Sequence, residues 1–390
     1  MACLIVLNGS SLKGDEISGI FTMTYIWQQE AWPSFSWNTG RILNPLSEAR
    51  KKQGYLLGKA DFLGLESEAE VFVEEAFKTS AIEGEQIDPN AIRSSVARRL
   101  GLPTAGLPNI QRHSDGLVEI LMDVSRNYET SLSKARICGW HGGLFPTGFS
   151  GIKKIPVGSY RKSKEPMQVI SGTMGKEKVH YEAPPSDKVA HEMKTFLEWF
   201  NNTEGETDGI IRAGIAHFWF VTIHPFEDGN GRLARSICDL ALAQDEKSSR
   251  RLYSLSEQIM AHRKQYYEVL ESSQKGSCDL TDWLSWFVEM FSSAMDASKG
   301  LIEKAEYIAG FYKKLGSMTI NERQSKVIRK MLEAWPNGFE GGITNKKYVS
   351  MTKTSSETAK RDLRDLVEKQ VLLPNDGRGR SVSYRLKPRE

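Results

Sequence analysis

The twelve residues His224-Pro-Phe-Glu-Asp-Gly-Asn-Gly-Arg-Leu-Ala-Arg235 lie between two stretches of helical patterning, Gly209 to Ile223 and Arg232 to Gln244. A loop so placed leads into a helix N-terminus. Gly229 and Gly231 let its backbone come close to a ligand. Helix N-termini expose unpaired N–H groups and attract anions. Arg232 and Arg235, both in the first turn, oppose the helix dipole at a cost of about 0.3–1 kcal/mol each. Three residues apart, they share a face, and a bound polyphosphate would reverse the penalty. Asp228 stands beside them, and one carboxylate plus phosphate oxygens is how proteins usually hold Mg²⁺. His224 is the one side chain of the loop suited to general-base work near neutral pH. A glycine-rich turn with a capping aspartate would need neither the arginines nor the histidine.

Gly229 to Ala234 also fits the dinucleotide fingerprint G-x-G-x-x-A. That motif requires a preceding strand, whereas the preceding segment here is helical, so the Rossmann reading is rejected. The P-loop pattern G-x-x-x-x-G-K-[ST] does not occur in the sequence.

The remaining chain reads as mostly helical. Helical spacing runs from Pro45 to Phe77, Asp115 to Tyr128, Leu132 to Leu144, Ser186 to Asn201, Ser256 to Glu271, Thr281 to Leu301 and Asn321 to Trp335. Gly101 to Pro108 is Pro/Gly punctuation and Gly148 to Gly158 a loop. Met167–Ile170 and Lys178–Tyr181 read as a β-hairpin with an open outer edge, to which a target segment would add as a strand. Five aromatics from Tyr25 to Trp37 read as an anchor packed on the core. With 390 residues, 39% apolar, the chain is long enough for two to three domains and excludes wholesale disorder. A net charge of +3 excludes a chain that is basic throughout. Four scattered cysteines without a C-x-x-C pair speak against a zinc or redox motif and for free thiols in a reducing cytoplasm. Without a run of about 18 apolar residues, no transmembrane helix and no membrane partner are expected. The apolar run Ala2 to Leu7 is either an extra strand or lies upstream of a start at Met23, and the second is favoured.

The pattern H-P-F-x-D-G-N-G-R-x-x-R resembles the Fic motif of Fic/Doc-type protein adenylyltransferases at all nine of its fixed positions. Gly158-Ser-Tyr-Arg161 through Tyr181-Glu-Ala-Pro184 resembles that family's substrate-aligning flap. Tyr266-Tyr267-Glu-Val-Leu270 resembles its segment near the adenine. The resemblance implies a Fic-type helical core with a β-hairpin flap, and transfer of AMP from ATP to a Ser, Thr or Tyr hydroxyl of a target protein, with diphosphate released. The target is another protein or the chain itself. By the same resemblance His224 takes the proton and Asp228 holds Mg²⁺. Gly229, Asn230 and Gly231 bind the α-phosphate, with the Asn230 side chain included. Arg232 grips the β-phosphate, Arg235 the γ-phosphate, and Tyr266 and Tyr267 lie by the base. Members that phosphorylate their targets carry Lys where Gly231 stands, so Gly231 argues for AMP transfer.

Thr79-Ser-Ala-Ile-Glu83-Gly84 resembles the family's inhibitory motif, [S/T]-x-x-x-E-[G/N]. Gly84 reads as a helix C-cap. Glu83 would then sit at the negative end of its helix and Arg235 at the positive end of another, each unfavourable alone. If Glu83 holds Arg235, the γ-phosphate cannot. A domain of residues 23–108 carrying this brake, a Fic domain over 109–300 and a basic module over 315–390 are expected.

In that last module, residues 344–390 hold twelve Lys/Arg against six Asp/Glu, so the rest of the chain has a net charge of −3. Thr352 to Leu366 reads as a capped helix with Leu363 and Leu366 inward, followed by a hairpin from Val371 to Leu386. This resembles a winged helix-turn-helix, whose Lys360, Arg361, Arg364, Arg378 and Arg380 would face DNA phosphates. A protein-interaction or dimerisation module, giving a homodimer, is the other reading. Two further functions stay open: removal of AMP from modified proteins with Glu83 orienting a water, and a DNA-binding regulator whose Fic-like body senses nucleotide.

Overall fold

The computed structural model describes residues 5–8, 24–102, 112–171, 177–315, 318–334, 338–375 and 382–387. They are mostly helical, as expected, and divide into two compact units, residues 1–299 and 300–390.

The first unit begins with strand β1 (Ile5–Asn8). Helices α1 (Thr39–Gly58), α2 (Leu65–Ile82), α3 (Pro89–Arg99), α4 (Arg112–Arg126) and α5 (Lys134–Leu144) follow. The helical spacing from Pro45 to Phe77 therefore belongs to two helices. Pro45 lies inside α1, where it has no N–H for the Arg41 carbonyl. Between α1 and α2 a short 3₁₀ turn, Ala60–Phe62, breaks the run, and Arg250 Nη1 donates to the Ala60 carbonyl at 2.6 Å.

The segment Gly148 to Gly158, expected as a loop, contains a small hairpin of β2 (Phe149–Ser150) and β3 (Lys153–Lys154). The larger hairpin is present as β4 (Met167–Ser171) and β5 (Lys178–Glu182), antiparallel with a register shift between Val169 and Ile170. Its β4 edge is not open: β1 pairs antiparallel with β4, Ile5 opposite Ile170, giving the order β1-β4-β5. The extended apolar run at the start of the chain takes the β4 side, and β5 remains the outer strand on the other.

Helices α6 (Val189–Asn202), α7 (Gly209–Ile223) and α8 (Asn230–Glu246) form the centre. All fifteen residues of α7 are buried, so its sequence is apolar on every face. Its one arginine, Arg212, donates to the Phe200 carbonyl at 2.6 Å and to Gln244 Oε1 at 2.9 Å. Asp208 caps α7 by accepting from Ile210 N and Ile211 N. Trp32 and Phe35 of the N-terminal aromatic segment stack edge-on against Trp219 of α7, with centroids 6.1 and 5.3 Å away. Tyr25 packs edge-on against Tyr181 of β5. The anchor reading of that segment holds.

The stretch Ser256 to Glu271, expected as one helix, is two: α9 (Leu255–Ala261) and α10 (Arg263–Gln274). His262 leaves helical geometry at φ −111°, and its Nδ1 lies 3.1 Å from the Gln258 carbonyl. Helix α11 (Thr281–Leu315) follows. Helix α2 is fixed against α9 through buried Glu75, which accepts from Ser254 Oγ at 2.8 Å and Ser256 N at 3.1 Å and pairs with Arg251.

The second unit contains α12 (Glu322–Glu333), β6 (Ile343–Thr344), α13 (Asn345–Thr352), α14 (Ser356–Glu368), β7 (Leu372–Pro374) and β8 (Ser383–Leu386). Its antiparallel sheet has the order β6-β8-β7. Val327, Ile328, Ile343, Tyr348, Leu363 and Leu366 build its core. The helix and hairpin expected here are α14 and β7–β8, while β6 and α13 were not read from the sequence. Arg378 and Arg380 lie outside the described residues.

Candidate active site

The end of α7 sets the geometry. His224 terminates it in the left-handed region, φ 52° and ψ 59°, with its N–H still bonded to the Phe220 carbonyl. A non-glycine residue there is uncommon and is held by its surroundings. Arg161, buried, donates from Nε to the His224 carbonyl at 2.8 Å and from its backbone N to the Pro225 carbonyl at 2.9 Å. His224 Nδ1 lies 3.1 Å from the Val221 carbonyl. That contact puts the ring proton on Nδ1 and leaves Nε2 as the base. Burial pulls the imidazole down to about 4, against the opposing pull of the Val221 carbonyl, so His224 is neutral at pH 7.

The rest of the loop is braced from below. Asn230 accepts at Oδ1 from Phe226 N and donates from Nδ2 to the Phe226 carbonyl, both at 2.9 Å. Its side chain shapes the loop here, and what it presents to a ligand is the first turn of α8. His141 of α5 stacks on Phe226 at 4.2 Å. It accepts at Nδ1 from Gly158 N, so its Nε2 carries the proton, 3.2 Å from the Asp228 carbonyl. Burial lowers His141 to about 4. Gly229 takes φ 81°, and a side chain there would press on Phe145 at 2.9 Å, so glycine is required.

Helix α8 starts at Asn230, and the N–H groups of its first turn have no intrahelical acceptor. Arg232 and Arg235 are 2% and 3% exposed. Arg235 donates from Nε to Thr79 Oγ1 at 2.6 Å, and from Nη2 to the Thr79 carbonyl at 2.9 Å and Glu83 Oε1 at 2.8 Å. Burial alone would lower Arg235, but the Glu83 carboxylate together with Tyr266 and Tyr267 raises it above its ordinary value. Arg232 lies over the Phe145 ring at 5.0 Å and donates from Nη1 to Glu85 Oε2 at 2.7 Å. Arg232 Nε and Arg235 Nη1 are buried without a well-formed hydrogen bond, and Arg235 lies against the Tyr266 hydroxyl. Buried charged donors left unmatched are costly, and two arginines at one helix N-terminus suit an anion.

Helix α2 ends as the sequence indicated. Glu83 is its C-cap and Gly84 follows at φ +83°. The Ile82 carbonyl accepts from Arg263 Nε at 2.8 Å and from Tyr267 Oη at 3.3 Å. Glu83 Oε1 lies so close to Gly231 that a Cβ there would sit 2.1 Å from it. A cleft of about 690 Å³ opens between this turn, the β4–β5 hairpin and α10, lined by Glu83, His224, Gly231, Tyr266, Tyr267 and Val169 among others. Its size suits a small ligand of nucleotide dimensions. Tyr266 is fixed by His217, whose Nε2 is 2.9 Å from its hydroxyl. Above it, His180 of β5 lies 2.5 Å from both Ser171 Oγ and Glu271 Oε2, tying the hairpin to α10.

Asp228 accepts from Gly229 N at 2.5 Å at one carboxylate oxygen and from the Ser150 hydroxyl at the other. No group of three or more His, Cys, Asp or Glu residues placed to hold a metal ion exists among the described residues. One carboxylate beside a hydroxyl is a hard-oxygen donor set. It fits Mg²⁺ arriving with phosphate oxygens and fits a metal held by protein alone poorly.

The sequence-predicted residues His224, Gly231, Glu83, Tyr266 and Tyr267 line one cleft, with Arg232 and Arg235 buried behind the turn that carries Glu83. Glu85, Ser150, His141 and His180 were missed. His141 had a signal, being the polar member of the apolar spacing Ile137, His141, Leu144 in α5. The others are joined to the site only through folding.

Comparison with known proteins bears on the family and the fold. Residues 131–242 match the model of the Fic/DOC family, and residues 25–102 match a domain of unknown function, DUF4172. The chain is 44% identical over 55 residues to the protein adenylyltransferase fic-1 of Caenorhabditis elegans, covering 14% of this chain and 11% of that protein. It is 29% identical over 131 residues to a probable protein adenylyltransferase of Aquifex aeolicus, covering 34% of this chain and 35% of the relative. The chain thus spans about a third or less of the length of these relatives. A solved Fic family protein from Desulfovibrio desulfuricans shares the fold at a TM-score of 0.54 and 18% identity, covering 91% of this chain and 98% of that one.

Proposed function

We propose that this chain, a Fic-domain protein through residues 131–242, transfers AMP from ATP to a hydroxyl side chain of a target protein and holds itself in check through Glu83. The observation that carries the reading is the pair of buried arginines at the α8 N-terminus, each with an N–H that lacks a well-formed hydrogen bond. They sit behind a cleft lined by a histidine kept neutral by burial. The relatives named protein adenylyltransferases favour the same chemistry.

In this reading the triphosphate lies along the first turn of α8. The turn's N–H groups receive the α-phosphate, Arg232 the β-phosphate and Arg235 the γ-phosphate. Neutral His224 takes the proton of the target hydroxyl at Nε2, and the hydroxyl oxygen attacks the α-phosphorus. The bond from the α-phosphorus to the bridging oxygen breaks, and diphosphate leaves with that oxygen. Asp228, with Ser150 beside it, would hold Mg²⁺, which supplies charge neutralisation on the phosphates. Catalysis of this kind is mostly positioning and charge stabilisation. The charge brought by the bound phosphates also raises His224 towards the range of an effective base.

Glu83 favours a second reading for the resting state. Its carboxylate stands against Gly231, beside the proposed α-phosphate position, where it could orient a water to release AMP from a modified protein. One experiment addresses both. The protein is incubated with ATP labelled at the α-phosphate, and separately with an AMP-modified protein. Label transfer that Glu83→Gly increases supports AMP transfer. Loss of AMP removal in Glu83→Gly supports the second reading. Absence of both activities removes the proposal.

A further inference from the structure

A second carboxylate of the same turn, Glu85, also reaches the site. Past the end of α2 the chain closes with two hydrogen bonds, Gly84 N to the Ala81 carbonyl at 3.0 Å and Glu85 N to the Ser80 carbonyl at 3.1 Å. With Gly84 left-handed, this is the Schellman geometry of a helix end. It fixes Glu83 and Glu85 on one rigid turn at the negative end of α2. Each carboxylate meets one of the two arginines at the positive end of α8: Glu83 meets Arg235 at 2.8 Å and Glu85 meets Arg232 at 2.7 Å.

We propose that Glu85 is a specificity-determining residue that withholds Arg232 from a β-phosphate, so that the resting site rejects nucleoside diphosphates as well as triphosphates and accepts a monophosphate. The inference rests on the nucleotide reading given above. Two guanidinium and two carboxylate groups leave this part of the site without net charge. A diphosphate reaching for Arg232 competes with Glu85, which already holds its Nη1 at 2.7 Å. A monophosphate needs neither arginine. It meets the first-turn N–H groups of α8, beside Glu83. Removing Glu83 alone opens the γ-position and leaves the β-position contested. Because both carboxylates ride on one Schellman turn, a movement of that turn releases both arginines together.

The test is calorimetric titration of the full chain with AMP, ADP and ATP, each with Mg²⁺, for wild type, Glu85→Ala, Glu83→Gly and the double variant. Glu85 is partly exposed and its backbone makes the helix-end bond, so Glu85→Ala keeps the fold; Glu85→Gln, with the same shape and no charge, is the second variant. Losing a competing charged hydrogen bond corresponds to about 10- to 150-fold in affinity. Glu85→Ala is expected to tighten ADP by about that factor, with Glu85→Gln intermediate and AMP unchanged. Glu83→Gly should tighten ATP while leaving ADP near wild type, and the double variant should bind ATP tightest. If ADP binds wild type and both Glu85 variants equally while ATP responds to Glu83→Gly, Glu85 has no such role and the adenylyltransfer reading stands. If none of the proteins binds any nucleotide, both fall.

Discussion

Arginines on α8 and on α14 carry the same charge under opposite conditions. Arg232 and Arg235 on α8 are almost fully buried, and each has a named acidic partner on the turn after α2. Arg361 and Arg364 on α14 are exposed, and neighbouring Lys360 pairs with Glu357 one turn back on the same helix. A buried guanidinium must be matched, so its surroundings state what it is for. An exposed one is satisfied by water, so its presence is compatible with a nucleic-acid surface, a protein surface or plain solubility. The first unit therefore supports a proposed mechanism, and the second yields a charge pattern whose meaning needs a ligand.

The largest effect that would break the first half of this comparison is at His224. His224→Ala should lower AMP transfer by about 10²–10⁴, the typical worth of a general base. Nucleotide affinity should hold, since His224 Nδ1 is committed to the Val221 carbonyl and the proposed phosphate contacts all lie on α8. Label transfer within a few-fold of wild type would take the histidine out of the mechanism.

Next in size is the release of Arg235. Glu83→Gly frees a charged donor, and a competing hydrogen bond of that kind corresponds to about 10- to 150-fold. AMP transfer, self-modification included, should rise by that order. Arg235→Ala on top should cancel the rise, because the guanidinium is what the carboxylate conceals. A rise that survives Arg235→Ala would mean that Glu83 acts on something other than this arginine.

Helix α7 shows how far sequence alone could go. Its bounds, Gly209–Ile223, are those expected, because an apolar stretch bracketed by Asp208 and the His224-Pro225 pair leaves no other solution. The Glu83–Arg235 contact was also foreseeable, since each residue sits at the wrong end of a helix dipole and the resemblance pairs them. Glu85 carried no such mark. It lies beyond the helix, and only the Schellman turn brings it to Arg232. The β2–β3 hairpin escaped because two-residue strands leave no alternation to read, and with it went Ser150 beside Asp228. The pairing of β1 with β4 is a contact over about 160 residues of chain, which periodicity cannot encode.

A smaller effect sharpens the picture of His224. General-base catalysis needs the unprotonated imidazole, and burial lowers its pKa to about 4 in the free protein. For the Glu83→Gly variant, kcat/KM reports the free enzyme. As pH falls, it should therefore stay flat through 6.5, where an ordinary histidine would already be half protonated, and decline only below about 5. A pH series from 4.5 to 8 reads this directly. An acid limb centred at or above 6.5 would show that the site leaves the ring as basic as in water.

The smallest expected effect belongs to α14 and concerns binding, with no change in AMP transfer. If its exposed basic residues contact duplex phosphates, the affinity of the full chain for a short DNA duplex should fall with salt by about 0.9 log units per log unit of salt for each phosphate. Replacing Lys360, Arg361 and Arg364 by alanine should then reduce that slope by about one per side chain lost. It should weaken all duplex sequences alike, since such contacts position the protein and read no bases. The fold of the unit should survive, because its core residues Leu363 and Leu366 lie on the opposite, buried face of α14. Its buried carboxylate, Asp362, keeps its partners Arg323 and Tyr348. An unchanged slope in the triple variant, or no duplex binding at low salt, would give the exposed charges of α14 to a protein surface or to solvent.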